Sequence, residues 1–483
     1  MVTNGSASLR YHTFDELDEI YARLRKTFQA GTTRPLAYRR RQLLQLARLI
    51  QDNASAMQDA VFEDLARARQ ETVVSELGSV IAQCLYAAEH LEEWAKPKEV
   101  QGEAWRSHWN PTTYKVPKGV VLIIGPWNYP YILTLGPLVG ALAAGCPCVV
   151  KGSELAPTVA QLLTDLFPRY LDPNAYVFVN GAIPETTHLL SSRWDHIMFT
   201  GGGKAGRIVS AAAAKHVTPV TLELGGKSPV VIAEDADIEL AAKRILWGKL
   251  QNSGQLCVSP DHIYVPRSKQ DALIAALLKM YNMFWPNGPF HEDAQWGKII
   301  NPTYHARLKS LLDRTKGDIV IGGYYDGDRR IAPTIVKNVT LDDALMEECR
   351  SELFGPILPI NAVEDLDEAI RLVNRQPTPL ALYAFTNSKD TEEKLLESTK
   401  SGALVVNDTF SHLAVYEMPF GGQGDSGYGS WYGKASFDTF THLRGFVHVL
   451  NAGEPHMANR YPPYTDAKYD AMSGGINVKI PDN

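Results

Sequence analysis

The stretch Asn252-Ser253-Gly254-Gln255-Leu256-Cys257-Val258-Ser259-Pro260 sets a cysteine in a polar, glycine-containing loop. A cysteine there is a better nucleophile candidate than one in an apolar strand, and its thiolate adds readily to a carbonyl carbon. A lone cysteine is usually structural, so the case rests on its company. Glu223, in Leu222-Glu223-Leu224-Gly225-Gly226-Lys227-Ser228-Pro229, closes an apolar strand pattern just before two glycines. A partly desolvated carboxylate gains a raised pKa and can act as a general base; the alternative is a strand-end glutamate facing water. Asn128, between Trp127 and Tyr129, offers an uncharged amide dipole to a developing oxyanion, or simply satisfies turn backbone groups.

Two further segments suit a phosphorylated ligand. Phe199-Thr200-Gly201-Gly202-Gly203-Lys204-Ala205-Gly206 joins a strand pattern to a helix pattern. Glycines at such a turn let a phosphate reach the N–H groups of a helix N-terminus, although the spacing is Gly201-x4-Gly206 and turn chemistry alone would also select glycine. The strand pattern Val149–Lys151 leads into Gly152-Ser153-Glu154. Beyond the carboxyl end of a parallel strand, Lys151 and Glu154 could hold ribose hydroxyls, or face water in a loop.

These residues need a scaffold, and the apolar periodicity supplies one. Residues 14 to 97 carry helical patterns over Phe14–Ala30, Pro35–Asn53 and Glu71–Lys96, and residues 105 to 117 read as short extended pieces around Asn110-Pro111. From 119 to 234, strands at Val120–Ile124, Cys148–Lys151, Val177–Val179, His196–Thr200, Val220–Leu224 and Val230–Ile232 alternate with helices that include Pro137–Ala144, Ala156–Tyr170 and Lys204–Lys215. A second alternating region runs to about Asn407. Its helices include Glu239–Gln251, Lys269–Met283, Thr303–Lys316 and Asp365–Arg375, and its strands His262–Val265, Asp318–Ile321, Leu380–Phe385 and Ala403–Val406. Such alternation predicts two α/β domains with parallel, doubly wound sheets. The uncharged run between Lys118 and Lys151 is interrupted by Gly125-Pro126 and Gly136-Pro137, so it reads as buried strands and a buried helix rather than a membrane span.

Composition narrows the class. The chain has 483 residues, enough for two or three domains, with 45% hydrophobic and 21% charged residues and a formal net charge of −6. That balance argues against a nucleic-acid surface. The densest basic run, Arg39-Arg40-Arg41, reads as a solvated helix face. Cys84, Cys146, Cys148, Cys257 and Cys349 form no disulfide framework, which points to a reducing compartment and a cytoplasmic protein. Cys146-Pro147-Cys148 lacks a second ligand pair at zinc spacing and reads as buried. The N-terminus shows no secretory leader and the C-terminal stretch no apolar tail, so no membrane anchor is expected.

Taken together and in order, the segments resemble the aldehyde dehydrogenase superfamily along nearly the whole chain. The carriers are Pro126-Trp127-Asn128, Lys151-Gly152-Ser153-Glu154, Phe199-Thr200-Gly201 to Gly206, Glu223 to Pro229, Gly254-Gln255-Leu256-Cys257, Glu352-Leu353-Phe354-Gly355-Pro356 and Pro419-Phe420-Gly421-Gly422. Trp247-Gly248-Lys249-Leu250, Val406-Asn407-Asp408, Gly433 to Phe440 and Arg460-Tyr461-Pro462-Pro463-Tyr464 are similar to the class 3, fatty and aromatic aldehyde branch.

The resemblance implies a Rossmann-like cofactor domain (1–104 with 118–224), a catalytic domain (225–430), an oligomerisation element (105–117 with 431–452), a tail (453–483) and a homodimer. It implies that Cys257 attacks the aldehyde, that Asn128 and the Cys257 N–H stabilise the oxyanion, that a hydride passes to NAD⁺ or NADP⁺, and that Glu223 activates the water that hydrolyses the thioester. Lys151 and Glu154 would hold the adenine ribose, Gly201 and Gly206 border the pyrophosphate, and Glu352 and Phe354 position the nicotinamide half. Tyr129 and Trp247 are candidate walls of an apolar substrate tunnel, and no metal is required. Gly152 replaces the family's usual proline, Gly202-Gly203-Lys204 a serine-containing turn and Leu256 a common threonine. A CoA-acylating relative and a catalytically silent protein of the same fold are the competing readings. Medium- or long-chain aliphatic, aromatic and apocarotenoid-type aldehydes all fit.

Overall fold

The computed structural model describes residues 9–103, 106, 109–327, 329–346 and 352–482. Trp105, Cys349 and the first eight residues, on which sequence readings fell, lie outside them. The chain forms two compact units, Met1–Trp94 with Pro117–Thr441 and Ala95–Val116 with His442–Asn483.

Among the described residues, the first unit holds two large sheets and a two-stranded ribbon of Tyr325–Asp326 with Arg330–Ile331. One has six strands in the order Gly427–Tyr428, Val220–Glu223, His196–Thr200, Val121–Ile124, Cys148–Lys151 and Tyr176–Val179. Every pairing is parallel except that of Gly427–Tyr428. Four of them, Val121–Ile124, Cys148–Lys151, Tyr176–Val179 and His196–Thr200, are buried nearly throughout, which is why they read as unbroken apolar runs. The strand order reverses between Val121–Ile124 and His196–Thr200, so the loops that leave these two strands diverge and open a crevice. The other sheet has seven strands, in the order Asp318–Ile321, Thr334–Lys337, Ile357–Val363, His262–Pro266, Pro229–Ile232, Ala381–Phe385 and Ala403–Val406. It is parallel except at Asp318–Ile321. The strand Pro229–Ile232, read from sequence in the first alternating region, pairs in this second sheet.

Three local expectations are corrected. The helix predicted to begin at Pro137 begins five residues earlier and spans Ile132–Ala144. Its first amides are capped by a residue remote in sequence: Glu76 Oε2 accepts the N–H groups of Tyr131 at 2.7 Å and Ile132 at 3.0 Å. The single helix expected over Glu71–Lys96 is instead Arg69–Thr72, a π-turn at Val73–Leu77 and Gly78–Ala95. One extra residue per turn buries Glu76, consistent with the use of π-turns at functional sites. Arg39 is not solvated. It is buried and donates to Thr33 O at 3.1 Å and Ala143 O at 3.2 Å, neutralising the carboxyl end of the Ile132–Ala144 helix; Arg40 and Arg41 are exposed. The helices Ala54–Leu65, Ile183–Ser191 and Lys389–Ser398 and the strands Thr334–Lys337 and Ile357–Val363 were not foreseen.

In the second unit, Lys98–Glu99, Thr112–Pro117 and Thr441–Phe446 form a three-stranded sheet. Leu443, Phe446, Val447, Val449 and Leu450 are exposed along its last strand and the residues that follow. Among the described residues no helix is long and apolar enough to cross a membrane.

Candidate active site

The cysteine loop is held rigidly. The helix Ile238–Leu250 starts on an Asp237 cap and runs into a tight turn at Gln251–Gly254. There Asn252 (φ 48°) and Ser253 (φ 54°) occupy the left-handed region, which costs a non-glycine residue energy and persists only under constraint. The constraint is Gln255, which is fully buried: its Nε2 donates to Asn252 O and Lys298 O, both at 3.0 Å, and its Oε1 accepts the Ile300 N–H at 2.9 Å. Gly254 (φ 76°) leaves no space for a side chain, since a Cβ would fall 2.3 Å from Gly355 O. Cys257 follows, with its own N–H and that of Val258 directed at its sulfur. Burial pushes the thiol pKa up, and the Glu352 and Glu223 carboxylates push it the same way.

Glu223 ends the strand Val220–Glu223, in register with Thr200 on one side and Gly427 on the other. Gly427 (φ 118°) must be glycine, because a Cβ would lie 1.9 Å from Leu222 O. Glu223 is 2% exposed, and neither carboxylate oxygen has a hydrogen-bond partner among the described residues. Burial alone raises its pKa well above the ordinary carboxylate range.

A cavity of about 350 Å³ opens where the strand order of the first sheet reverses, and it brings together Asn128, Gly201, Glu223, Cys257, Glu352 and Phe354. Asn128 is buried, and its Nδ2 donates to Gln255 O at 3.0 Å, which orients the amide. Glu352 has a buried Oε1 with no partner among the described residues; burial first, then Asp261, pushes its pKa up to about 8, against an opposing hydrogen bond from the Gly226 N–H. Phe354 (φ 53°) packs edge-on against Trp127, with ring centroids 5.6 Å apart.

Five candidates lie outside the lining of this cavity. Lys151, at the carboxyl end of its strand, is buried and pairs with Glu154 at 3.2 Å. Its pKa is lowered by burial, with Glu154 opposing. Gly206 sits in the first turn of the helix Gly203–Ala214, where a Cβ would come 2.7 Å from Leu224 Cδ2. Tyr129 is buried, and its hydroxyl donates to Glu71 Oε1 at 3.0 Å. Trp247 is 44% exposed and packs edge-on against Phe410.

Several neighbours escaped the sequence reading. Arg67, Glu71 and Glu76 reach the Asn128–Ile132 segment from a region that reads only as amphipathic helix. Tyr383 donates to Val258 O at 2.6 Å, but in sequence it is one more aromatic in a strand. Lys249 is buried, with its pKa lowered by burial to about 8, and Asp261 opposing. Its burial was invisible in an otherwise ordinary Trp-Gly-Lys-Leu stretch. Gln255 lies inside the cysteine motif, but its role as the anchor of the loop shows only in its contacts with Asn252, Lys298 and Ile300.

A half-buried thiol, a buried carboxylate and an oriented amide thus line one cavity, and comparison with known proteins supplies the family. The aldehyde dehydrogenase family profile matches residues 5–445. The dimeric NADP-preferring aldehyde dehydrogenase of Rattus norvegicus is 42% identical over 453 residues, covering 92% of this chain and 98% of its own. Aldehyde dehydrogenase family 3 member B1 of Homo sapiens is 42% identical over 450 residues, covering 93% and 95%. The substrate-bound structure of Staphylococcus aureus AldH superposes with a TM-score of 0.90 at 36% identity, covering 95% of this chain and 99% of that one. Resemblance over nearly the full length, in both sequence and fold, makes this chain a member of the aldehyde dehydrogenase family, akin to its class 3 branch, and hence an oxidoreductase acting on aldehydes.

Proposed function

We propose that the chain oxidises aldehydes to carboxylic acids with NAD⁺ or NADP⁺, using Cys257 as nucleophile, Glu223 as general base and Asn128 as oxyanion donor. One observation carries the reading: Glu223, with two buried oxygens that no group among the described residues satisfies, lines the same cavity as Cys257. An unsatisfied buried carboxylate is costly, and a base that must take a proton from water is a reason to keep one.

Attack by the Cys257 thiolate, formed when the thiol proton leaves to solvent water, moves negative charge onto the aldehyde oxygen. The Asn128 side-chain amide has one N–H engaged with Gln255 O and another available for that oxygen. Once Cys257 carries the acyl group, Glu223 takes a proton from water, which attacks the thioester carbon and releases the acid.

The residues present suit a nicotinamide dinucleotide. Gly201 admits no side chain, since a Cβ would fall 2.6 Å from Phe199 Cζ, so backbone lies bare beside the N-terminus of the Gly203–Ala214 helix. Lys151 with Glu154 would hold the adenine ribose, Gly201 with Gly206 border the pyrophosphate, and Glu352, with an unsatisfied oxygen, and Phe354 hold the nicotinamide half. When bound, the cofactor accepts the hydride that leaves the substrate carbon. The six-stranded half would thus bind cofactor and the seven-stranded half carry the nucleophile. Tyr129 and Trp247 would shape the aldehyde's approach. The exposed apolar row Leu443 to Leu450 supports a homodimer, as the rat relative's name describes for that protein.

The test is NADH or NADPH formation with short to long aliphatic, benzaldehyde-type and cinnamaldehyde-type aldehydes, with and without CoA. Turnover without CoA that vanishes in Cys257→Ala is expected. Turnover only with CoA would move the enzyme to the acylating reaction, and none at all would overturn the proposal.

A further inference from the structure

The Asn128 side chain works from a segment that is gripped on its far side. Arg67 follows the helix Ala54–Leu65, past a left-handed Ala66 (φ 51°). Its side chain is fully buried. Its Nη1 donates to the Asn128 backbone carbonyl at 3.0 Å, its Nε to Thr72 Oγ1 at 3.3 Å, and its Nη2 pairs with Glu76 Oε1. The guanidinium lies 4.5 Å from the centroid of the Tyr129 ring. The other oxygen of Glu76 accepts the N–H groups of Tyr131 and Ile132. The buried pair therefore holds the backbone at three points on either side of Tyr129-Pro130. Asn252 Nδ2 adds a second donor to the Asn128 carbonyl at 2.9 Å.

We propose that Arg67, anchored by Glu76, is a positioning residue that sets the direction of the Asn128 side-chain amide toward the reacting oxygen. This rests on the oxyanion role of Asn128 proposed above. A desolvated ion pair is a poor way to gain stability, since an apolar pair of similar volume often serves as well. It is a good way to fix geometry, because the guanidinium's donors form a rigid planar fork that can serve a carboxylate, a hydroxyl and a carbonyl at once. A lysine would keep the charge but satisfy those acceptors only loosely.

The experiment compares Arg67→Lys, Glu76→Gln and the double change Arg67→Met with Glu76→Leu, each in the otherwise native enzyme and on Asn128→Ala. The double change leaves neither member of the pair as a lone buried charge and so guards against misfolding. Expected is a fall in kcat of about ten- to a hundredfold in the Arg67 variants, as for a displaced catalytic group. KM for aldehyde and cofactor should stay within about twofold, because the oxyanion contact strengthens only in the transition state. On Asn128→Ala the same changes should cost almost nothing further, since the route of action is gone. Equal losses on both backgrounds would overturn the positioning role and leave Arg67 a structural residue. Unchanged kcat in Arg67→Lys and in the double change would overturn it as well. Full activity in Asn128→Ala alone would instead bring down the oxyanion reading, and this inference with it.

Discussion

Gly225 and Glu352 cannot both be changed freely: a Cβ on Gly225 would fall 2.0 Å from Glu352 Oε1. The first glycine after the Glu223 strand thus makes room for a carboxylate that arrives from a distant loop, and it couples two motifs at one wall of the cavity. Gly225→Ala should push the Glu352 carboxyl out of place and raise KM for NAD(P)⁺ by about ten- to a hundredfold, the value of hydrogen bonds to a charged group. Cys257 should still react with iodoacetamide, no more slowly than in the native enzyme, because the cysteine loop rests on Gln255 and a displaced Glu352 no longer raises the thiol pKa. Steady-state kinetics and alkylation rates separate the two, and an unchanged cofactor KM would contradict this placement of Glu352.

Glu352 should also make cofactor binding pH-dependent. Its pKa is raised from 4.5 to about 8, mainly by burial, so in the free enzyme the carboxyl is largely protonated at neutral pH. The ionised form is the better acceptor for ribose hydroxyls. Affinity for the cofactor should therefore rise as pH passes upward through about 8. Fluorescence titration between pH 6.5 and 9 would follow it, and Glu352→Gln should flatten the curve.

The two chemical half-reactions should come apart by mutation. Cys257→Ser is expected to abolish both the first turnover and the steady state. Glu223→Gln should retain a burst of reduced cofactor close to one per site, then slow by about 10²- to 10⁴-fold, the usual span for loss of a general base. Stopped-flow absorbance measures both, and a Glu223→Gln variant that lacks the burst would show that Glu223 acts earlier than thioester hydrolysis.

The same glutamate should destabilise the fold at neutral pH. Its folded pKa lies well above the ordinary 4.5 because of burial. Below pH 4.5 the carboxyl is protonated in both states, and its neutral form sits in the cavity wall at no ionic penalty. As pH rises through 4.5 toward the raised folded value, the unfolded chain releases the proton first, and stability is lost. Glu223→Gln should thus unfold at a higher temperature than the native enzyme at pH 7.5, by a few degrees at ~2 °C per kcal/mol. The advantage should shrink toward pH 4.5 in calorimetry.

Arg39 should matter for stability and not for chemistry. Its guanidinium satisfies the buried carbonyls of Thr33 and Ala143. Arg39→Leu leaves both acceptors without that donor and is expected to cost about 2–4 kcal/mol. Denaturant unfolding would read that loss, while kcat per folded site stays unchanged.

Much of this molecule is legible in the order of its residues. The strands Cys148–Lys151, His196–Thr200, Asp318–Ile321 and Ala403–Val406 lie where their apolar runs placed them. In the central strands this follows because a strand covered on both faces has no solvent side to break the run. The cysteine loop and the Glu223 strand end were equally visible, because a reactive residue type beside glycines is a local signal. The sequence alone therefore determined which groups could react and on what class of scaffold. The tertiary structure decided how they are held. It buried Arg39, which local periodicity assigned to water, and inserted the π-turn that turns Glu76 inward. It joined Arg67 to Asn128, and left Glu223 without a hydrogen-bond partner among the described residues. Those contacts span separations at which periodicity carries no information. A helical repeat reports which face is covered, and only the packed chain shows which atoms cover it.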